Sequence, residues 1–323
     1  MTFDLTGHRV WVAGHGGMVG SAVVRRLARE PVEVLAAARG ELDLVRQSQV
    51  EDWVAAHRPT VVVLAAARVG GIAANDARPV DFLYENLMIE ANILAAAARA
   101  GVAKLIFLGS SCIYPRDAAQ PIHEDALLTG PLEPTNQWYA VAKIAGIKLA
   151  EAYRRQHGHD FISAMPTNLY GPGDNYDLES SHVIPALLRK AVEARDANAA
   201  EMIVWGTGTP RREFMHVDDL ADAVVFLLRH HSAAEHINVG SGTDLPIADL
   251  AALVARIAGF TGRLTFDRSR PDGTFRKLMD SSRLAALGWR ATIGLEDGLR
   301  DAMRFVDADI AMLGSADGGR RGS

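Results

Sequence analysis

Residues 9–30 read RVWVAGHGGMVGSAVVRRLARE, and the order of features in that stretch decides the architecture. Val10, Trp11 and Val12 make a short apolar run of strand length. The run ends in glycines, and from 18 to 30 apolar side chains recur at helical spacing. Gly14, Gly17 and Gly20 stand in the turn with the spacing GxxGxxG. In a strand-turn-helix frame each glycine has a physical task. The first permits the tight turn, the second lets backbone N–H groups approach a pyrophosphate, and the third allows the helix to pack closely on the strand. The loop then opens onto the positive end of the helix dipole, where a phosphate is favoured. The frame carries the reading, because the spacing alone is common.

The alternation continues outward. Segments 32–37, 61–66, 105–109 and 161–166 read as strands, and 48–57, 88–100 and 143–157 as helices. Strands that alternate with helices predict an α/β fold, a doubly wound parallel Rossmann sheet with helices on both faces. Beyond Tyr170 the regularity degrades into a Gly-Pro-Gly-Asp-Asn loop, a helix over 182–195, a strand over 202–205 and a run of shorter elements. We therefore divide the chain into a dinucleotide-binding portion, 1–170, and a smaller C-terminal α/β substrate-binding portion, 171–314, with the strand near 236–239 as a candidate to rejoin the first sheet. Residues 315–323, glycine- and serine-rich without periodicity, read as a disordered tail.

Composition narrows the function. The 323 residues carry a formal net charge of -5, with 49% hydrophobic and 23% charged side chains, which is an ordinary enzyme balance. The basic pairs Arg25 with Arg26, Arg154 with Arg155 and Arg211 with Arg212 are interspersed with acids, so no nucleic-acid footprint is expected. Cys112 is the single cysteine, so neither an intrachain disulfide nor a CxxC metal pair can form, and no metal is expected. No apolar run reaches the roughly 18 residues of a membrane span, and the N-terminus lacks a signal-peptide pattern; a cytoplasmic location without membrane contact is expected.

Tyr139 and Lys143 are spaced i, i+4, which places both on one face of a helix. A tyrosine is too weak an acid to work unaided near neutral pH; a lysine ammonium beside it, with the positive nicotinamide of an oxidised cofactor nearby, is expected to lower its pKa and make it a usable proton donor or acceptor. Ser110, at the carboxyl end of the 105–109 strand, is placed to direct its hydroxyl at the same substrate oxygen. At the end of the second strand the position that reads the adenine ribose holds no acid; Arg39 follows instead, which suits a 2′-phosphate and favours NADP over NAD.

These motifs, together with AAARVGGI (65–72), FLGSSCIYP (107–115), EPTNQWYAVAKIAGIKL (133–149), MPTNLYGPGDN (165–175), SHVIPALLRK (181–190), WGTGTPRREFMHVDDLA (205–221) and RPDGTFRKL (270–278), resemble the extended short-chain dehydrogenase/reductase family over nearly the whole chain. Within it they are most similar to the branch that epimerises and reduces a GDP-bound 4-keto-6-deoxyhexose; neighbouring branches, such as reductases leading to GDP-colitose, share much of the pattern. Sugar-nucleotide dehydratases of the family carry a Thr-Asp-Glu-like triplet where this chain has Ser110, Ser111 and Cys112.

The resemblance implies the following roles. Ser110, Tyr139 and Lys143 serve reduction, and Cys112 and His182 serve as base and acid on a sugar whose ketone acidifies the neighbouring carbons. Gly14, Gly17, Met18, Val19, Gly20, Arg39, Leu108, Gly109, Ser110, Lys143, Pro166, Asn168, Leu169 and His182 hold NADP(H). Asn168, Lys190, Trp205, Arg212 and Asp272 hold GDP-4-keto-6-deoxy-D-mannose. A homodimer is also implied. One departure matters: relatives often have an arginine in the glycine loop where this chain has Gly16, which leaves more of the 2′-phosphate selectivity to Arg39.

Overall fold

The computed structural model describes residues 2–178, 180–270 and 272–318. Its first half alternates β1 (Arg9–Ala13), α1 (Met18–Leu27), β2 (Glu33–Leu35), α2 (Gln47–His57), β3 (Val61–Leu64), α3 (Ile72–Ala77), α4 (Pro79–Arg99), β4 (Lys104–Leu108), α5 (Gln137–His157) and β5 (Phe161–Pro166). The second half runs β6 (Asn168–Tyr170), α6 (Val183–Asp196), β7 (Glu201–Trp205), β8 (Arg211–His216), α7 (Val217–His230), β9 (Ile237–Val239), β10 (Asp244–Pro246), α8 (Ile247–Ala258), β11 (Arg263–Asp267), β12 (Arg276–Lys277), α9 (Ser282–Ala286) and α10 (Leu295–Gly318).

A six-stranded sheet in the order β2-β1-β3-β4-β5-β9 forms the first layer, and every pairing in it is parallel. Val61, Val62, Val63 and Leu64 of β3 are all fully buried, as a strand covered on both faces requires. One face packs on α2, α4 and α5 through Val50, Ile93, Leu94 and Ile147; the other packs on α1 and α7 through Val23, Leu27, Val224 and Leu228. β2 and β3 leave β1 in opposite directions, so the chain reverses its winding there and opens a crevice at the carboxyl ends of the strands, the place where such sheets bind ligands.

Two physical details correct the sequence reading. The helix expected over 88–100 begins at Pro79, whose fixed φ and missing N–H suit the first helical position, with Asp81 in the first turn complementing the dipole. The run of shorter elements expected after 205 contains three substantial helices, α7, α8 and α10. In α7, Asp218 and Asp219 open the helix, the His216 ring accepts the Asp218 N–H at 3.3 Å, and Arg229 and His230 close it. This helix returns to lie on α1, and β9 pairs with β5, so both belong to the first layer. α9 also joins that layer through Leu284, while α6, β7, β8, α8, β11 and α10 enclose a core of their own around Leu187, Val204, Leu250, Val254 and Leu299. α10 continues through Gly318, four residues into the stretch read as tail; 319–323 lie outside the described residues.

Candidate active site

Packing dictates two of the three loop glycines. Gly14 has φ +91° in the left-handed region, and a Cβ there would lie 2.7 Å from the Ala66 backbone beyond β3. A Cβ on Gly20 would lie 2.0 Å from the Gly14 carbonyl oxygen. Gly17 caps α1 with extended backbone, and its Cβ would meet nothing nearer than 3.6 Å. The N-terminal amides of α1 thus face a bare cradle that fits a diphosphate. Met18 and Val19, both half-buried, form the first turn behind it. Leu108 and Gly109 at the end of β4, and Pro166, Asn168 and Leu169 at and beyond the end of β5, lie along the same carboxyl edge. Gly109 is held there by closeness, since a Cβ would lie 2.4 Å from Met165 Sδ. Arg39 is exposed beyond β2 and has no hydrogen bond or ion pair among the described residues. Its acidic neighbours are engaged elsewhere: Glu41 accepts the Ala38 N–H and Asp43 pairs with Arg46.

Ser110 follows β4 and caps a 3₁₀ turn, Ser111–Ile113, by accepting the Cys112 N–H at 3.2 Å; its hydroxyl is near enough to the Tyr139 phenol to favour the phenolate. Tyr139 and Lys143 occupy successive turns of α5, with the ammonium 5.8 Å from the phenol ring centre. The ammonium bonds the Leu108 carbonyl at 3.1 Å and lies 3.0 Å from Glu90 Oε1 on α4. The lowering of the Tyr139 pKa is expected of Lys143 together with an oxidised nicotinamide; among the protein's own groups the balance runs the other way. Burial first, then the charges of Cys112 and Glu90, push the phenol above its ordinary value, and the Ser110 hydroxyl pulls against them. The Lys143 charge is shared with Glu90, a partner that local spacing cannot disclose.

Cys112 borders the opposite, second-half wall. Its Sγ lies 3.4 Å from Asn136 Nδ2 and 3.6 Å from Lys277 Nζ, in a cleft also lined by Glu133 and Arg276. Lys277 was not singled out by the sequence, although it sits within the RPDGTFRKL motif; it sets a cation where a thiolate's charge would be met. His182 is the N-cap residue of α6, beside Ser181, whose carbonyl would contact a Cβ on Gly71 at 2.9 Å. Its ring is open to water yet crowded by protein, and that crowding lowers its pKa and favours neutral imidazole.

The remaining residues read as substrate contacts spread along the second half. Trp205 ends β7 half-exposed, with Lys190 Nζ 4.6 Å and the Arg270 guanidinium 4.7 Å from its ring centre. Burial, then Arg270, lowers the Lys190 pKa, which is the mark of cations gathered without enough anions. Arg212 is half-buried and donates to the carbonyls of Arg211 and Asp272 at 2.8 and 3.4 Å. Asp272 spends its carboxylate on Thr207, accepting the N–H at 2.7 Å and the hydroxyl at 2.8 Å, and thereby latches two loops. Asn168 donates to the Glu213 carbonyl at 2.8 Å, which ties the end of β5 to β8.

A glycine cradle at a switch point, joined to a Ser-Tyr-Lys cluster at the end of the next strands, defines a dinucleotide-dependent oxidoreductase acting on a carbonyl or alcohol. Residues 10–240 match the NAD dependent epimerase/dehydratase family, and the chain belongs to it. A GDP-L-fucose synthase of Sinorhizobium fredii is 57% identical over 95% of this chain and 98% of its own. Among solved structures, a GDP-6-OMe-4-keto-L-xylo-heptose reductase from C. jejuni superposes with TM-score 0.88 at 35% identity, over 95% of this chain and 99% of its own. A GDP-L-fucose synthetase from Naegleria fowleri bound to NADP superposes with TM-score 0.87 at 26% identity, covering 96% and 97%. Among the described residues no helix is long and apolar enough to cross a membrane.

Proposed function

We propose that this chain converts GDP-4-keto-6-deoxy-D-mannose to GDP-L-fucose by 3,5-epimerisation and NADPH-dependent 4-reduction. The observation that carries the reading is the Cys112 thiol, flanked by Asn136 and Lys277, beside the Ser110-Tyr139 pair. A plain reductase has no use for a polarised thiol there. A ketone acidifies the carbons on either side of it, and a thiol is a base of suitable strength for such protons.

In this reading Ser110 and Tyr139 donate hydrogen bonds to the C4 oxygen and stabilise the negative charge that forms on it. Cys112 removes the protons at C3 and C5. His182 returns them on the opposite face, and its depressed pKa makes its imidazolium a strong acid once formed. NADPH, held by the Gly14–Gly20 cradle with Arg39 at its 2′-phosphate and Lys143 at the nicotinamide ribose, supplies the hydride. Tyr139 then gives its proton to the oxygen. Lys190, Trp205 and Arg212 bind the GDP half, where clustered cations and an exposed ring suit a diphosphate and a base. Asp272 acts through its latch on Thr207. A cytoplasmic homodimer completes the proposal; Val80 and Tyr84 on α4 and Trp138 and Val141 on α5 are exposed apolar side chains on adjacent helices, a face suited to a second copy.

Incubation with GDP-4-keto-6-deoxy-D-mannose and NADPH, followed by NMR of the product, tests the reading. GDP-L-fucose with one NADPH oxidised per molecule is expected, and Tyr139→Phe should lower the rate by roughly two orders of magnitude while still binding NADPH. A reduced sugar with its C3 and C5 configurations retained would refute the epimerase half.

A further inference from the structure

Glu90 lies on α4 among Ile89, Ile93, Leu94 and alanines, with both carboxylate oxygens shut away from water. The Glu90 and Lys143 side chains are each only 2% exposed, 3.0 Å apart; burial pushes the Glu90 carboxyl up, and the Lys143 ammonium is what draws it back toward the carboxylate. Packing does not ask for this pair, since apolar residues would fill the space without desolvating two charges. The chain even gives up a side chain to admit it. A Cβ on Gly146 would lie 2.5 Å from Glu90 Oε2 and 2.6 Å from Phe107 Cζ, so α5 is bare at the point where the carboxylate rises beside the lysine. Glu90, the Leu108 carbonyl and the Phe107 ring, centred 4.7 Å from the nitrogen, anchor the ammonium on three sides.

We infer that Glu90 is a positioning residue of the reduction: paired with Lys143, its carboxylate fixes the ammonium beside Tyr139 and sets a buried acidic group behind the phenol. The tyrosine then meets each ketone with its proton in place. After the proton passes to the C4 oxygen, the phenolate takes another from solvent, and Glu90 favours that return. The inference rests on Tyr139 being the proton donor. The groups that face Tyr139 are Ser110 and Cys112 from the turn after β4, Lys143 on α5 and Glu90 on α4, with Lys277 of β12 reaching Cys112. Cys112 and Glu90 push toward phenol, and Ser110 toward phenolate.

The test uses the full chain labelled with 13Cζ-tyrosine and no substrate, the Tyr139 resonance being identified by its loss in Tyr139→Phe. In Glu90→Gln the phenolate signal should appear at lower pH than in the parent, or in the variant alone within the pH range where both stay folded. With substrate, kcat should fall and its alkaline limb move down with it, while KM changes little. Glu90→Asp, which keeps the charge but shortens its reach, should hold the titration close to the parent's and lose kcat. A Gln variant that titrates with the parent would overturn the inference, as would an Asp variant whose titration shifts; the Asp variant decides the matter alone should Gln not fold. Because the titration needs no sugar, it reports on Glu90 even if the parent reduces a different ketone.

Discussion

Gly20→Ala puts the glycine cradle to a quantitative test. An ordinary carbon contact needs at least 3.4 Å, and the new methyl would have 2.0 Å to the Gly14 oxygen, a shortfall of 1.4 Å; Gly14 C and His15 Cα would stand at 2.6 and 2.7 Å. All three are backbone atoms, so no rotamer change relieves the clash. Nor can α1 retreat, because Ala22, Val23 and Leu27 behind Gly20 are buried against the sheet and α7. The cost therefore lies at the upper end for overpacking, about 3 kcal/mol. If it is met by shifting the loop, the affinity for NADPH falls about 100-fold. If it is met by the fold, the loss appears in stability. NADPH fluorescence titration and thermal melting, run together, separate the two. Gly16→Ala is the control, since its Cβ would meet nothing within 4 Å, and Gly17→Ala, with its nearest contact at 3.6 Å, falls between. A Gly20→Ala protein that binds and melts like the parent, or a Gly16→Ala protein that is impaired as badly, would show that close packing is not what the spacing encodes.

Other outcomes follow from single groups. Arg39→Ala should weaken NADPH by up to about 2 kcal/mol and spare NADH, since only the former offers a 2′-phosphate; equal weakening of both in binding titrations would place the selectivity elsewhere. Cys112→Ser should stop deuterium uptake at C3 and C5 in deuterated water while NADPH oxidation survives, because a hydroxyl is far too basic to ionise; unimpaired uptake seen by NMR would remove Cys112 as the base. Burial, then Lys148 and Arg283, holds His236 down to about 4, with the Tyr114 hydroxyl 3.0 Å from its Nε2. An unfolded chain takes that proton near pH 6.5, so between about 6.5 and 4 the unfolded state holds more protons and stability falls as the pH is lowered, by about 1 kcal/mol per unit. His236→Gln should flatten Tm against pH in that window, and an unaltered slope would count against the assignment.

What the sequence discloses depends on how far its meaning reaches along the chain. The glycine loop and the Tyr139-Lys143 spacing are legible because turn geometry and helical periodicity are local. β6, β10 and β12 hold only two or three residues each, too few to show a period, and acquire their meaning from β8. Lys277 lies 165 residues from Cys112 and meets it only after the two halves close on each other. The one legible sign of Glu90 is a carboxylate inside the otherwise apolar run of α4, which marks a buried charge without naming its partner. Asp272 shows the same limit from the other side: its place in a family motif suggests ligand contact, and nothing local announces that its carboxylate also closes on Thr207.

The return of α7 and β9 to the first layer bears on how this gene can be recombined. Most of what supports the glycine cradle comes from two stretches, 1–166 and 217–239, with 167–216 spliced between them, and Leu284 and Trp289 at and after α9 complete the same core, Trp289 donating to Asp222 on α7 at 2.9 Å. A chimera joined once near 170 would set one parent's α7 on the other's α1, and the ion pairs Arg25 to Asp218 and Arg26 to Asp222 would span the mismatch. It would also leave the outer edge of β5 to be completed by a strand selected against a different neighbour. Exchange of sugar specificity between relatives therefore calls for inserted cassettes that take 167–216 and the residues after 239 but leave 284–291, with α7, β9 and that stretch kept from the parent that supplies the cofactor site.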